Sequence, residues 1–95
     1  MLTINASIYF KKYEEGGLSK NGVSGMQPSF SVSDDLIMCE ILGKDGTSKF
    51  ILGREYDVTI DLPYGEEFSD KIKSGYRFHL NFGGHEFAAG VVTSQ

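Results

Sequence analysis

The most constraining feature of the chain is a strict two-residue alternation at its start. Leu2, Ile4, Ala6, Ile8 and Phe10 alternate with Thr3, Asn5, Ser7, Tyr9 and Lys11. Successive side chains of a strand point to opposite faces, so this pattern predicts a long strand with one buried face. Val58, Ile60 and Leu62 alternate with Asp57, Thr59 and Asp61 in the same way. Phe78, Leu80 and Phe82 alternate with Arg77, His79 and Asn81, which predicts all three apolar residues on the buried side. Residues 86–93 are small and β-prone, and Gly90 among them predicts a bulge or a close backbone approach.

The separators are turn-like. Asp45-Gly46 is a hairpin signal, and Gly83-Gly84 between two strand patterns predicts a tight hairpin. Residues 13–29 form a long glycine-rich connection, a length more typical of a functional loop or a crossover than of a simple link. Phe68 and Ile72 lie four apart and predict one helical turn within 63–75, where Tyr64 and Phe68 are expected to form an exposed hydrophobic contact or a cap over one end of the fold. With 95 residues there is room for one domain, residues 1–95. Many short strands with long connections predict an all-β barrel or sandwich, because either limits exposed strand edges.

Charge narrows the partners. The net charge is −4. Residues 34–70 hold ten acids and three bases, while the longest basic run is Lys11-Lys12. Affinity for nucleic acid rests largely on Lys and Arg neutralising phosphates, so tight autonomous RNA or DNA binding is not expected. No stretch reaches the length of a membrane span, and the alternating, non-basic start does not read as a signal peptide. Cytoplasm and no membrane partner are therefore the expectation. Cys39, the single cysteine, lies in the apolar run Leu36-Ile37-Met38-Cys39-Glu40-Ile41-Leu42 and is expected to be a buried small hydrophobe.

Catalytic patterns are weak. Gly43-Lys44 is followed by Asp45 and not by the Ser or Thr of a phosphate-binding loop. His79 and His85 are expected on adjacent strands, and with Cys39 and Glu86 they lack the spacing of a metal site. Ser24 in Gly22-Val23-Ser24-Gly25 falls short of a nucleophile elbow. The acid pairs Glu14-Glu15, Asp34-Asp35 and Glu66-Glu67 point to different sides when extended, so each reads as solvated turn or loop. Neither a cofactor nor catalysis is expected. Tyr9, Lys11 and Tyr13 share an exposed face where aromatics beside bases could stack on RNA.

Three ordered stretches carry a resemblance. They are Ile8-Tyr9 with Glu14-Glu15-Gly16-Gly17 and Gly25-Met26-Gln27-Pro28-Ser29-Phe30; then Ile51-Leu52-Gly53 before Tyr56–Ile60; then Gly75-Tyr76-Arg77-Phe78, Gly83-Gly84 and Ala89-Gly90-Val91-Val92. In this order they resemble the third, C-terminal β-barrel domain of elongation factor Tu, across essentially the whole chain. The resemblance implies a closed Greek-key barrel of six or seven strands, with Arg77 outside and Phe78 inside. Leu18 and Ser19 stand where that family has arginine and histidine, and Gln27 and Ser29 stand where it has arginine and glutamine. The expected function is a non-catalytic binding module for a protein or ribonucleoprotein. Glu14, Glu15, Gln27, Ser29 and Arg77 are the candidate binding residues. A tRNA- or RNA-associated accessory factor is the second expectation and would need Lys11, Lys12, Lys71, Lys73 and Arg77 to form one patch; a small enzyme is the third.

Overall fold

The computed structural model describes residues 1–95. Nine strands form: β1 (Leu2–Phe10), β2 (Gly22–Val23), β3 (Ser29–Val32), β4 (Asp35–Met38), β5 (Glu40–Gly43), β6 (Lys49–Phe50), β7 (Glu55–Leu62), β8 (Arg77–Phe82) and β9 (His85–Ser94). Seven of them make one sheet in the order β4-β3-β8-β9-β1-β7-β5, antiparallel throughout, and β2 pairs with β6 apart from it. The sheet curls into a half-barrel. Its two edge strands, β4 and β5, are consecutive in the chain with only Cys39 between them.

The alternation in β1 is realised as predicted. Ile4, Ala6, Ile8 and Phe10 are buried, and Val58, Ile60 and Leu62 of β7 meet them. The pairs Ile4↔Ile60 and Ala6↔Val58 set these apolar residues side by side on the concave face. Two aromatic groups fill it. Phe10 stacks on Phe50 at 4.8 Å between ring centroids, and Phe30 stacks on Phe78 at 4.4 Å. Such pairs contribute about 0.5–1.5 kcal/mol each beyond the apolar area they bury.

The two long connections close the ends of this core. At the Phe10 end, the small β2–β6 sheet brings Phe50 beneath the rings. At the Leu2 end, a 3-10 turn at Glu66–Phe68 continues through the Ile72 N–H donating to the Phe68 carbonyl at 2.9 Å. Ile72 is fully buried and Phe68 packs against the core, so the predicted helical turn exists and caps one end. The Gln95 amide holds that turn by donating to the carbonyls of Ser69 and Ile72.

Two sequence readings need correction. Phe82 is not buried. The β8–β9 register slips between Leu80 and Asn81, where Phe87 is the extra residue on β9. The bulge breaks the alternation of β9, so that Phe87 and Ala88 are both buried. On β8 Asn81 keeps the face of His79, to which it is hydrogen-bonded, and is 8% exposed, while Phe82 at the end of the strand is 40% exposed and stacks on Phe87 at 5.1 Å. Asp45-Gly46 does form a turn, with φ of 54° and 80°. It joins no neighbouring strands, because β5 pairs with β7 and β6 pairs with β2. The Gly83-Gly84 hairpin forms as expected between Phe82 and His85.

Candidate functional site

The convex face of β8, β9, β1 and β7 carries the outward halves of the alternating strands. Two cross-strand rows follow from the register. One runs Arg77, Val91, Ser7, Asp57; the next runs His79, Ala89, Tyr9, Glu55. The outward residues of β9 are small beside their neighbours. Strands two apart lie about 10 Å from each other, so long side chains on β8 and β1 stand as walls over a low floor. The result is a recess of about 300 Å³. Ala89, Gly90 and Val91 form its floor, and Arg77, Tyr9, Ser7 and Glu55 stand around it.

Arg77 is exposed and takes part in no ion pair. Tyr9 is held in place by its hydroxyl, which donates to Glu15 Oε1 at 2.6 Å. The same carboxylate oxygen accepts from the Lys12 backbone N–H at 2.9 Å. These two donors hold the Glu15 carboxyl below its ordinary range, the Tyr9 hydroxyl having the larger effect. The carboxylate in turn raises the Tyr9 phenol. The turn that positions Glu15 depends on the two glycines after it. Gly16 has φ of 100°, and a Cβ at Gly17 would run into the Lys11 carbonyl oxygen.

A polar cluster borders the recess toward the Gly83-Gly84 hairpin. Lys11 Nζ donates to Glu86 Oε2 at 2.8 Å, and this hydrogen bond holds the Glu86 carboxyl below its ordinary range. His79 Nδ1 donates to Asn81 Oδ1 at 3.0 Å and lies 3.8 Å from Glu86 Oε1. Asn81, only 8% exposed, thus has its partner. His85 Nε2 donates to the Gly16 carbonyl at 2.6 Å and fastens the Glu14–Gly17 turn to the hairpin.

The five sequence-selected residues fall into separate places. Arg77 lines the recess, and Glu15 supports it through Tyr9. Glu14 is exposed on the turn beside Glu15. Gln27 is exposed ahead of β3, and Ser29 pairs with Asn81 and Met38. Asn81 is four residues along β8 from Arg77, so Ser29 and Arg77 lie at opposite ends of that strand. Ser7, Glu55, Glu86 and His79 were not selected from the sequence as binding residues, and Lys11 was selected only for an RNA-binding face. Alternation places Ser7 and Tyr9 outward, but which strand lies beside β1 is a long-range property.

The basic residues divide. Lys11 and Lys12 follow the C-terminal end of β1, and Lys11 is spent on Glu86. Lys71 and Lys73 lie in the β7–β8 connection at the other end, where Lys71 Nζ donates to Ser33 Oγ at 2.7 Å. Ser7 makes no hydrogen bond to a histidine, and no three of the His, Cys, Asp and Glu side chains converge as metal ligands. Cys39 is fully buried, donates to the Pro28 carbonyl at 3.4 Å, and has its thiol pushed up to about 12 by burial. A thiol in that state is inert. No helix is long and apolar enough to cross a membrane. No family model matches the chain.

Proposed function

We propose that the chain is a non-catalytic binding module with an elongation-factor-Tu-like C-terminal barrel. It docks a protein, alone or within a ribonucleoprotein, on the convex face of β8, β9, β1 and β7. The observation that carries this reading is Arg77, an exposed guanidinium without an ion-pair partner, at the wall of a recess of about 300 Å³. A guanidinium offers a planar fork of donors suited to carboxylates. Tyr9, oriented by Glu15, adds a rigid aromatic surface on the opposite wall. Aromatic and Arg side chains are enriched among residues that dominate protein interfaces. The sheet beneath is hydrogen-bonded across four strands, so little order has to be imposed on binding.

Protein is favoured over RNA by the separation of Lys11 and Lys12 from Lys71 and Lys73, and by the acidic residues Glu55 and Asp57 on the same face. The test is affinity capture from native cytoplasm on immobilised wild type and on Arg77→Glu, with and without ribonuclease. A protein retained by wild type, lost with Arg77→Glu and indifferent to ribonuclease supports the reading. Retention of nucleic acid alone, falling steeply with salt, overturns it in favour of the RNA-associated alternative.

A further inference from the structure

The two edges of the main sheet differ in what covers them. Along β5 the outward backbone groups of Ile41 and the Gly43 N–H are occupied. The Ile41 N–H donates to the Met26 carbonyl at 3.0 Å, the Gly25 N–H donates to the Ile41 carbonyl at 2.7 Å, and the Gly43 N–H donates to Ser24 Oγ at 2.9 Å. β4 has no such cover. Its register with β3 is Val32↔Asp35, Ser31↔Leu36, Phe30↔Ile37 and Ser29↔Met38, and beyond it the Cys39 N–H donates to the Pro28 carbonyl at 3.1 Å. Antiparallel ladders bond at every second pair. The bonded pairs are therefore Pro28–Cys39, Phe30–Ile37 and Val32–Asp35. The N–H and C=O groups of Leu36 and Met38 point away from β3, and none of the hydrogen bonds outside the strand ladders uses them. Leu36 and Met38, two apart on one face, are 48% and 44% exposed.

We propose that this edge accepts an extended segment of a partner protein as an added antiparallel strand. Main-chain bonds to Leu36 and Met38 would supply the pairing, and apolar side chains of the segment would lie beside these two residues. Charge selects the occupant. Asp34 and Asp35 precede the exposed pair and Glu40 follows it. A second copy paired β4-to-β4 about Ile37 would bring Asp34 of each chain to Glu40 of the other, a place that Asp61 of β7 already holds as the antiparallel partner of Glu40, so the copy would meet both a filled position and like charge there. A segment with Lys or Arg outside its apolar residues meets opposite charge at both ends. The inference is independent of the Arg77 recess, from which β4 is separated by β3.

The probe is a labelled, end-blocked peptide with alternating valine and threonine flanked by two lysines on each side, followed by fluorescence anisotropy and by amide NMR titration. The expected result is movement of the Leu36 and Met38 amides with the Arg77 and Gly90 amides unmoved. Leu36→Pro removes an outward N–H without breaking a bond to β3, and proline is tolerated at such edge positions. It should weaken the peptide by at least about tenfold, with the unfolding transition serving as the check on the fold. A glutamate-flanked peptide with the same core should bind wild type at least about tenfold more weakly, a comparison that needs no variant. Equal binding of the two peptides, shifts centred on Arg77, or no binding at millimolar peptide overturns the inference. So does a sedimenting dimer abolished by Leu36→Pro, which would assign the edge to a second copy.

Discussion

A Cβ placed on Gly90 would lie 2.6 Å from Cζ of Phe78 and 2.6 Å from the carbonyl oxygen of Ser7. The absence of a side chain there leaves room for the tip of the Phe78 ring over β9, while Phe30 of β3 stacks on the same ring. Gly90 also lies in the floor of the recess. Core packing and the shape of the outer face thus meet at one residue.

Gly90→Ala should therefore destabilise the protein by about 1–3 kcal/mol, the usual range for forcing an extra methyl into a filled space. Urea unfolding should show a lower midpoint with an unchanged slope. Phe78→Leu in the same chain should recover part of the loss, since residues in contact couple non-additively. An unchanged midpoint in Gly90→Ala would show that both the Phe78 ring and the backbone at Ser7 give way.

Acid should weaken the fold through Glu86 and Glu15. Both carboxyls sit below the ordinary value of 4.5 in the folded protein, Glu86 chiefly through Lys11 and Glu15 chiefly through Tyr9. A carboxyl depressed on folding contributes stability that is present above its unfolded value and lost as pH falls through its folded one. Lys11→Met removes the main cause at Glu86 and keeps most of the apolar stem. At neutral pH it should cost at most about 1 kcal/mol, because the pair is partly solvated. The difference from wild type should vanish in strong acid, where the carboxyl is protonated in both states; a pH-independent difference would point to packing instead. At the alkaline limit the sign reverses for Tyr9. Its raised phenol contributes stability below the ordinary value of 10.0 that is lost as pH rises through the folded one, and Tyr9→Phe should remove that dependence.

The β8–β9 hairpin should accept a stabilising change. Gly83 and Gly84 have φ of 54° and 80°, and a Cβ at Gly83 meets nothing within 4 Å. Asn followed by Gly is the preferred pair in such turns. Gly83→Asn should add about 0.4–1 kcal/mol by limiting the unfolded chain. Gly83→Val should lower stability, because a β-branched residue is poorly accommodated at positive φ. Thermal midpoints of the two variants should fall on opposite sides of wild type.

Local chemistry made much of the fold legible. The period-2 pattern identified the buried residues of β1 and β7, the glycine pairs marked turns, and Arg77 and Phe78 took opposite faces as expected. These properties depend on adjacent residues alone, since alternation assigns faces and turn chemistry assigns reversals. Part of the candidate site was legible for the same reason, because Tyr9 and Arg77 had to point outward.

Pairing was decided only by the tertiary structure. Alternation states which face a residue takes and says nothing about which strand lies beside it. The Asp45-Gly46 turn was visible in the sequence, yet β5 and β6 found other partners. The bulge that buries both Phe87 and Ala88 arises from two strands of unequal residue count across one slip. The recess exists because β8, β9 and β1 stand side by side, and the open edge exists because nothing lies beyond β4 as residues 24–26 lie beyond β5. The sequence by itself determined which side chains turn inward and where the chain reverses. The folded sheet alone decided which outward side chains meet, because cross-strand contacts join residues far apart along the chain.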